Sequence, residues 1–202
     1  MSSDKDMNDC LSGRKLFGDD FDMTQIAGWY DAEKEGYAKL LSGAQDPYRY
    51  SYHALNRRHG FRALGGGRYP KVLGIGSAYG AEFEPILNQI EQLTILESSE
   101  ALRASSAGEV PLTYVNPQPS GTVPFDDATF DLIVCLGVLH HIPNVSHVVS
   151  EFARCLRPGG IALIREPVVS MGDWRRPRPG LTTCERGIPL ELFRGLIERS
   201  GL

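Results

Sequence analysis

Seven residues, Gly74-Ile75-Gly76-Ser77-Ala78-Tyr79-Gly80, join glycines and small side chains at the end of an apolar run, Val72–Ile75. Glycine permits a tight turn and close approach of a ligand, and the free N–H groups of a following helix would face it. Alone the pattern is weak, because several unrelated cofactor folds use such a turn and a plain strand-to-helix connection also suffices. Glu97 ends the next apolar run, 21 residues after Gly76. An ionised carboxylate only accepts hydrogen bonds, so there it can take both hydroxyls of a ribose diol. A solvated strand-end charge is the plainer alternative. Together the two features point to an adenosine-containing cofactor without choosing one.

His140 and His141 follow a later apolar run. Imidazole titrates near neutral pH and suits a general base, although one of the two could simply pack or cap locally. Trp174-Arg175-Arg176-Pro177-Arg178 could receive an acidic ligand, because guanidinium binds carboxylate and phosphate bidentately. It reads equally well as a solvated loop, and Arg57-Arg58-His59 carries the same two readings. Tyr30-Asp31-Ala32-Glu33-Lys34 matches the YxxxK pair of nicotinamide-dependent oxidoreductases. It precedes the glycine loop instead of following it, which counts against that rival.

The elements that must position these groups are legible. Val72–Ile75, Leu93–Leu96, Leu112–Val115, Leu132–Leu136 and Ile161–Ile164 read as five strands. Phe83, Ile86, Leu87 and Ile90 recur at helical spacing, as do Val145, Val148, Val149 and Phe152. The second helix should stop at Arg157-Pro158-Gly159-Gly160. Alternating β and α units predict a doubly wound α/β fold, with helices on both faces of a mostly parallel sheet and ligands at the strands' carboxyl ends. Upstream, residues 1–20 read as loose, and a helix capped by Thr24 carries Ile26, Trp29, Tyr30, Tyr37, Leu40 and Leu41. A second helix starts at Asp46-Pro47, continues through Tyr48, Tyr52 and Leu55, and ends before the joint Gly65-Gly66-Gly67. Residues 1–67 thus form a tail and helical extension, a candidate lid, and residues 68–202 the main domain.

The net charge of −4 in 202 residues argues against a general nucleic-acid surface. The polar start lacks an apolar leader, and no run approaches the roughly 18 apolar residues of a membrane span. Cys10, Cys135, Cys155 and Cys184 form no CxxC pair, so disulfides and zinc are poorly supported and no residue is assigned to a metal. The expected compartment is the cytoplasm.

Val123-Pro124-Phe125-Asp126-Asp127-Ala128-Thr129-Phe130-Asp131-Leu132-Ile133-Val134 runs into Gly137-Val138-Leu139-His140-His141-Ile142-Pro143. Leu156-Arg157-Pro158-Gly159-Gly160 and Arg165-Glu166-Pro167 follow. In this order, over roughly residues 71–167, the set resembles the class I methyltransferase superfamily, especially the branch acting on quinones, sterols and similar small molecules.

The resemblance implies a Rossmann-like fold, S-adenosylmethionine as cofactor and a small-molecule methyl acceptor, acidic or otherwise. Gly74 and the loop Gly76, Ser77, Ala78, Tyr79 and Gly80 would hold the methionine and ribose portion. Glu97 would bind the ribose hydroxyls with Ser98 nearby, Asn116 would reach adenine, and Leu136, Gly137 and Val138 would line the reacting methyl. His140 and His141 would face the acceptor, which favours oxygen over carbon as its methylated atom. Three positions depart from the family. It usually has an acid where Gly74 stands, anchoring the cofactor's amino group, and often a glycine where Ala78 stands. Asn116 replaces a more usual Asp. Glu82 could substitute for the missing acid, or be an exposed helix-start carboxylate. A non-catalytic cofactor-binding partner subunit is the alternative function.

Similar enzymes end their sheet with two further strands. Here Pro189–Arg199 reads as a helix with Leu190, Phe193 and Ile197 on one side, and Ser200-Gly201-Leu202 closes the sequence. A fold lacking that strand pair is therefore expected, with Ile161–Ile164 at an open edge that invites self-association.

Overall fold

The computed structural model describes residues 4–36, 38–39, 49–168 and 176–202. Tyr37, Leu40, Leu41, the expected helix start Asp46-Pro47, Tyr48, Trp174 and Arg175 lie outside them.

Six strands form one sheet: β1 (Tyr69–Ile75), β2 (Ile90–Leu96), β3 (Ser106–Ala107), β4 (Val110–Val115), β5 (Phe130–Leu136) and β6 (Leu156–Arg165). Their order is β3-β4-β2-β1-β5-β6, parallel throughout except for the β3–β4 pair. The five expected strands are all present, and the added β3 is a two-residue hairpin arm beside β4. Ile75 pairs with Leu96 of β2 and Cys135 of β5. The glycine loop, Glu97 and the turn after Leu136 therefore leave the sheet at one edge.

Both faces of the sheet are covered, as alternating side chains require. Leu73, Ile75, Ile133 and Cys135 pack against Val145, Val149 and Phe152 of α4 (Val145–Cys155) and Leu196 of α5 (Leu190–Ser200). Val72, Leu132 and Val134 face the other way, onto Phe83, Ile86, Phe61 and Leu64. Phe61 and Leu64 precede the Gly65–Gly67 joint yet share this core. Each buried side chain of this size contributes about 1.5–3 kcal/mol. Cys135 and Cys155 are fully buried free thiols, packing as small hydrophobes.

Several expectations are corrected. The start of the chain holds α1 (Asp4–Leu11), and Cys10 and Leu16 are buried, because tertiary contacts supply what local composition lacks. In α2 (Met23–Glu33) the N-cap is Asp22, not Thr24. Its carboxylate accepts from Gln25 N at 2.9 Å, and Gln25 Oε1 accepts from Asp22 N at 3.0 Å. The helix after the Asp46-Pro47 signal is α3 (His53–His59) within the described residues.

Ala81–Gln89 is a 3-10 helix rather than an α-helix. Pro85 inside it has no N–H to donate, and Ile90 already belongs to β2. α4 ends at Cys155, and β6 starts at once at Leu156. Phe130 pairs with Leu156 but Leu132 with Ile161, so Arg157–Gly160 bulges within the strand instead of preceding it. On α5 the buried residue is Leu196, while Leu190 is exposed. β6 ends the sheet order, and among the described residues no strand pairs with its outer edge. No helix among those residues is long and apolar enough to cross a membrane.

Candidate active site

At the carboxyl edge of the sheet lies a cavity of about 820 Å³, its open mouth included. Gly76, Glu97, Ser98, Val138 and His141 line it, and Trp29 and Tyr30 of α2 form another wall. Val148 and Phe152 of α4 make its apolar floor.

The turn after β1 depends on left-handed backbone. Gly76 has φ +57°, and a β-carbon there would stand 2.9 Å from Val138. Ala78 also adopts positive φ, +44°, a strained conformation for a residue with a β-carbon. It is held there because its N–H donates to Glu97 Oε2 at 3.2 Å and its carbonyl accepts from the Tyr114 hydroxyl at 2.8 Å. Glu97 is buried, and its other oxygen accepts from Ser99 N at 3.0 Å. Burial raises its pKa, opposed by the amides of Ser99, Ala78 and Ser98. Each oxygen keeps a lone pair for a further donor, so the arrangement fits a ribose diol.

Gly74 lies beneath the loop, not in the cavity wall. A β-carbon there would come 2.5 Å from Ser77 Oγ and 3.0 Å from Phe83. Ser77 in turn donates to Glu82 Oε1 at 2.7 Å. Glu82 is 6% exposed, which corrects its reading as a solvated helix-start carboxylate. Burial pushes its carboxyl up to about 8, against the Ser77 hydrogen bond and the Arg165 charge. Tyr79 donates to the Ala101 carbonyl at 3.2 Å, and Gly80 turns at φ +72° behind the wall. Asn116 is outside the cavity lining, its amide oxygen held by Arg103. Leu136 and Gly137 approach the site through β5, but only Val138 of that trio lines it.

The histidine turn (Leu139–His141) is organised by a residue that its sequence neighbours do not reveal. Glu166, whose side chain is 0% exposed, accepts from the amides of Val138, Leu139 and His140 at 2.9, 2.8 and 3.2 Å. Its Oε2 also lies 2.7 Å from His140 Nδ1. Three amides and the imidazole Nδ1 converge on this one carboxylate, a set that a proton on Nδ1 completes. His141 Nδ1 instead meets Glu33 Oε2 of α2 at 2.9 Å. Burial opposes ionisation of Glu33, yet hydrogen bonds from His141, Thr182 and the Cys184 amide hold its pKa below the usual value.

Two further contacts tie α2 down: Trp29 Nε1 donates to the His141 carbonyl at 2.7 Å, and the Ser98 hydroxyl to the Lys34 carbonyl at 2.8 Å. Arg186, 1% exposed, donates to the carbonyls of Phe17, Leu139, His140, Ile142 and Pro143 and sits over the Trp29 ring. Of the basic segment expected to meet an acidic ligand, Arg178 donates to the Glu185 carbonyl of its own loop at 2.6 Å. Among the described residues, His140, His141 and Glu185 each place one ligand atom within 4.8 Å of the others. On sequence grounds none of the three is assigned to a metal.

Residues 73–164 match the family described as a methyltransferase domain. Over 86 residues the chain is 50% identical to 27-O-demethylrifamycin SV methyltransferase of Amycolatopsis mediterranei, covering 40% of this chain and 32% of that protein. Over 101 residues it is 31% identical to a "probable S-adenosylmethionine-dependent methyltransferase" of Mycolicibacterium smegmatis, covering 50% of this chain and 38% of that one. The matched stretches thus span about a third of those relatives' lengths. Among solved structures, the 4+2 cyclase SpnF superposes with TM-score 0.61 at 18% identity, over 89% of this chain and 72% of that one. At that identity the likeness is one of fold, and fold alone does not select a reaction.

Proposed function

We propose that this chain, whose residues 73–164 match a methyltransferase-domain family, is a class I S-adenosylmethionine-dependent methyltransferase that methylates a hydroxyl of a small-molecule acceptor, with His140 as general base. The observation that carries the reading is that Glu97 and Gly76, suited to the cofactor, and His141 and Val138 line one cavity, with the His140 ring 4.1 Å from that of His141 though not itself in the lining. The bound cofactor supplies an electrophilic methyl. Glu97 takes the ribose hydroxyls with Ser98 beside it, and the backbone of residues 76–80 approaches the methionine portion. Asn116, its oxygen engaged by Arg103, keeps its amide nitrogen for the adenine.

Much of the rate comes from holding the acceptor in line, a task for the walls built by Trp29, Tyr30 and Val138. His140 Nε2 receives the acceptor proton while Glu166 holds the ring and supplies the countercharge to the imidazolium. His141, bound to Glu33, fastens α2 over the site instead. Self-association along β6 belongs to the same reading.

One paired measurement tests it. Glu97→Ala is expected to weaken S-adenosylhomocysteine binding by roughly 1.5–3 kcal/mol in calorimetry, the worth of hydrogen bonds to a charged group. His140→Ala is expected to leave that affinity intact and lower turnover, followed with labelled cofactor and hydroxylated metabolites, by roughly 10²- to 10⁴-fold. Normal turnover in His140→Ala rejects the base. Tight binding with no turnover on any acceptor favours the second reading, a non-catalytic binding subunit, which the missing acid at Gly74 motivates.

A further inference from the structure

We propose that His140, His141 and Glu185 form a binding site for a divalent transition-metal ion of the zinc class, and that its occupancy shuts off methyl transfer. Two imidazoles and one carboxylate are a familiar zinc donor set that leaves a coordination position open. Here one ligand atom of each residue lies within 4.8 Å of the others. Tetrahedral ligands about 2.0–2.1 Å from a metal stand roughly 3.3 Å apart, so a small side-chain rotation would close the set.

The surroundings supply what such a site needs. Metal-bound histidine almost always gives its second ring nitrogen to a carboxylate or carbonyl, fixing the tautomer. His140 Nδ1 does so to Glu166 at 2.7 Å and His141 Nδ1 to Glu33 at 2.9 Å. Glu185 is 5% exposed, and its Oε2 accepts from Thr182 N at 2.9 Å. The Thr182 hydroxyl has one proton but lies 2.6 Å from Glu33 Oε2, 2.9 Å from Glu185 Oε2 and 3.0 Å from His141 Nδ1. Two carboxylate oxygens therefore compete for one hydroxyl donor beside the imidazoles. Glu33, Glu166 and Glu185 bring three buried carboxylates to this spot against the single guanidinium of the neighbouring Arg186, which acts on Glu166 through its charge while its hydrogen bonds go to carbonyls. A divalent cation balances that excess.

The consequence for turnover rests on the base assigned above: a metal on His140 Nε2 removes the lone pair that would accept the acceptor's proton. Metal binding itself does not depend on that assignment.

Calorimetry of the chelator-stripped chain with zinc alone is expected to show one ion per chain. Loss of an outer-shell partner usually weakens a metal about 10- to 100-fold, so loss of a ligand in Glu185→Gln should weaken zinc by about 100-fold or more. His141→Gln checks the same set through a different side chain. Cys184→Ser, removing the thiol nearest in sequence, should bind as the parent does. Zinc should suppress turnover of the parent while S-adenosylhomocysteine still binds, and the same zinc should suppress Glu185→Gln far less, each measured against its own metal-free rate. No stoichiometric zinc in the parent, or unchanged affinity in both ligand variants, overturns the site. Zinc bound at the triad without loss of turnover overturns the shut-off alone. Full turnover of His140→Ala defeats the base reading, and the calorimetric result still decides the metal site.

Discussion

Glu82 is a carboxylate placed where ionisation is unfavourable. It is buried behind the glycine loop with Ser77 as its hydrogen-bond donor, and its folded pKa of about 8 stands well above the 4.5 of an ordinary Glu. Between those values the folded chain holds a proton that the unfolded chain releases. Its contribution to stability is therefore full below about 4.5 and lost as pH rises through about 8. Glu82→Gln, isosteric and neutral at every pH, should remove this dependence. In urea titrations the variant is expected to gain on the parent between pH 5 and pH 8.5, by a few kcal/mol at most. A constant difference across that range would mean that Glu82 is ionised when folded. The same pair explains Gly74: a side chain there would strike Ser77. A carboxylic side chain at position 74 and the Ser77–Glu82 contact thus exclude each other in this packing.

At the scale of elements, α2 and the histidine turn both contribute to the wall of the cavity. α2 starts at a capping box that satisfies backbone groups otherwise left open at its first turn. Asp22→Ala should cost about 0.5–2 kcal/mol in stability. Hydrogen exchange should quicken across residues 23–33, while the amides of residues 76–80, held by β1 and β2, keep their protection. Equal loosening of both would show that the wall carrying Trp29 and the glycine loop open as one unit. The histidine turn needs no cap of its own, because Glu166 reaches it from just beyond β6 and satisfies three of its amides.

Across the whole molecule, Arg186 joins segments remote in sequence. Phe17 comes from the start of the chain, Leu139 to Pro143 from beyond β5, and Trp29 from α2. Burial lowers its pKa to about 10. Arg186→Met would fill much of the same volume but take the guanidinium from the carbonyls of Phe17 and Ile142, while those of Leu139, His140 and Pro143 keep the backbone donors Ile142, Arg186 and Val145. Each buried group left unsatisfied costs about 1–3 kcal/mol, and water would recover part, so a loss of about 3 kcal/mol or more is expected in urea unfolding. A loss below about 1 kcal/mol would show that those carbonyls are met otherwise.

What could be read from the sequence alone was local. The glycine turn, Glu97 and the alternation of β and α units rest on spacing within one or two elements, and the strand pattern emerged with modest shifts at its ends. Pro85 and the Asp22–Gln25 pair were also local signals, and they account for the 3-10 segment and the displaced cap. Other partnerships join residues far apart: His140 and Glu166 by 26 positions, His141 and Glu33 by 108, Arg186 and Phe17 by 169. A lone Glu or Arg has no periodicity to mark its partner, and on sequence grounds each is most simply a solvated charge. Only the folded chain buries these groups. Once water is excluded, every charge must find a donor, an acceptor or a counter-ion, and that requirement sets the two histidines apart, the first oriented by Glu166 and the second fastened to α2.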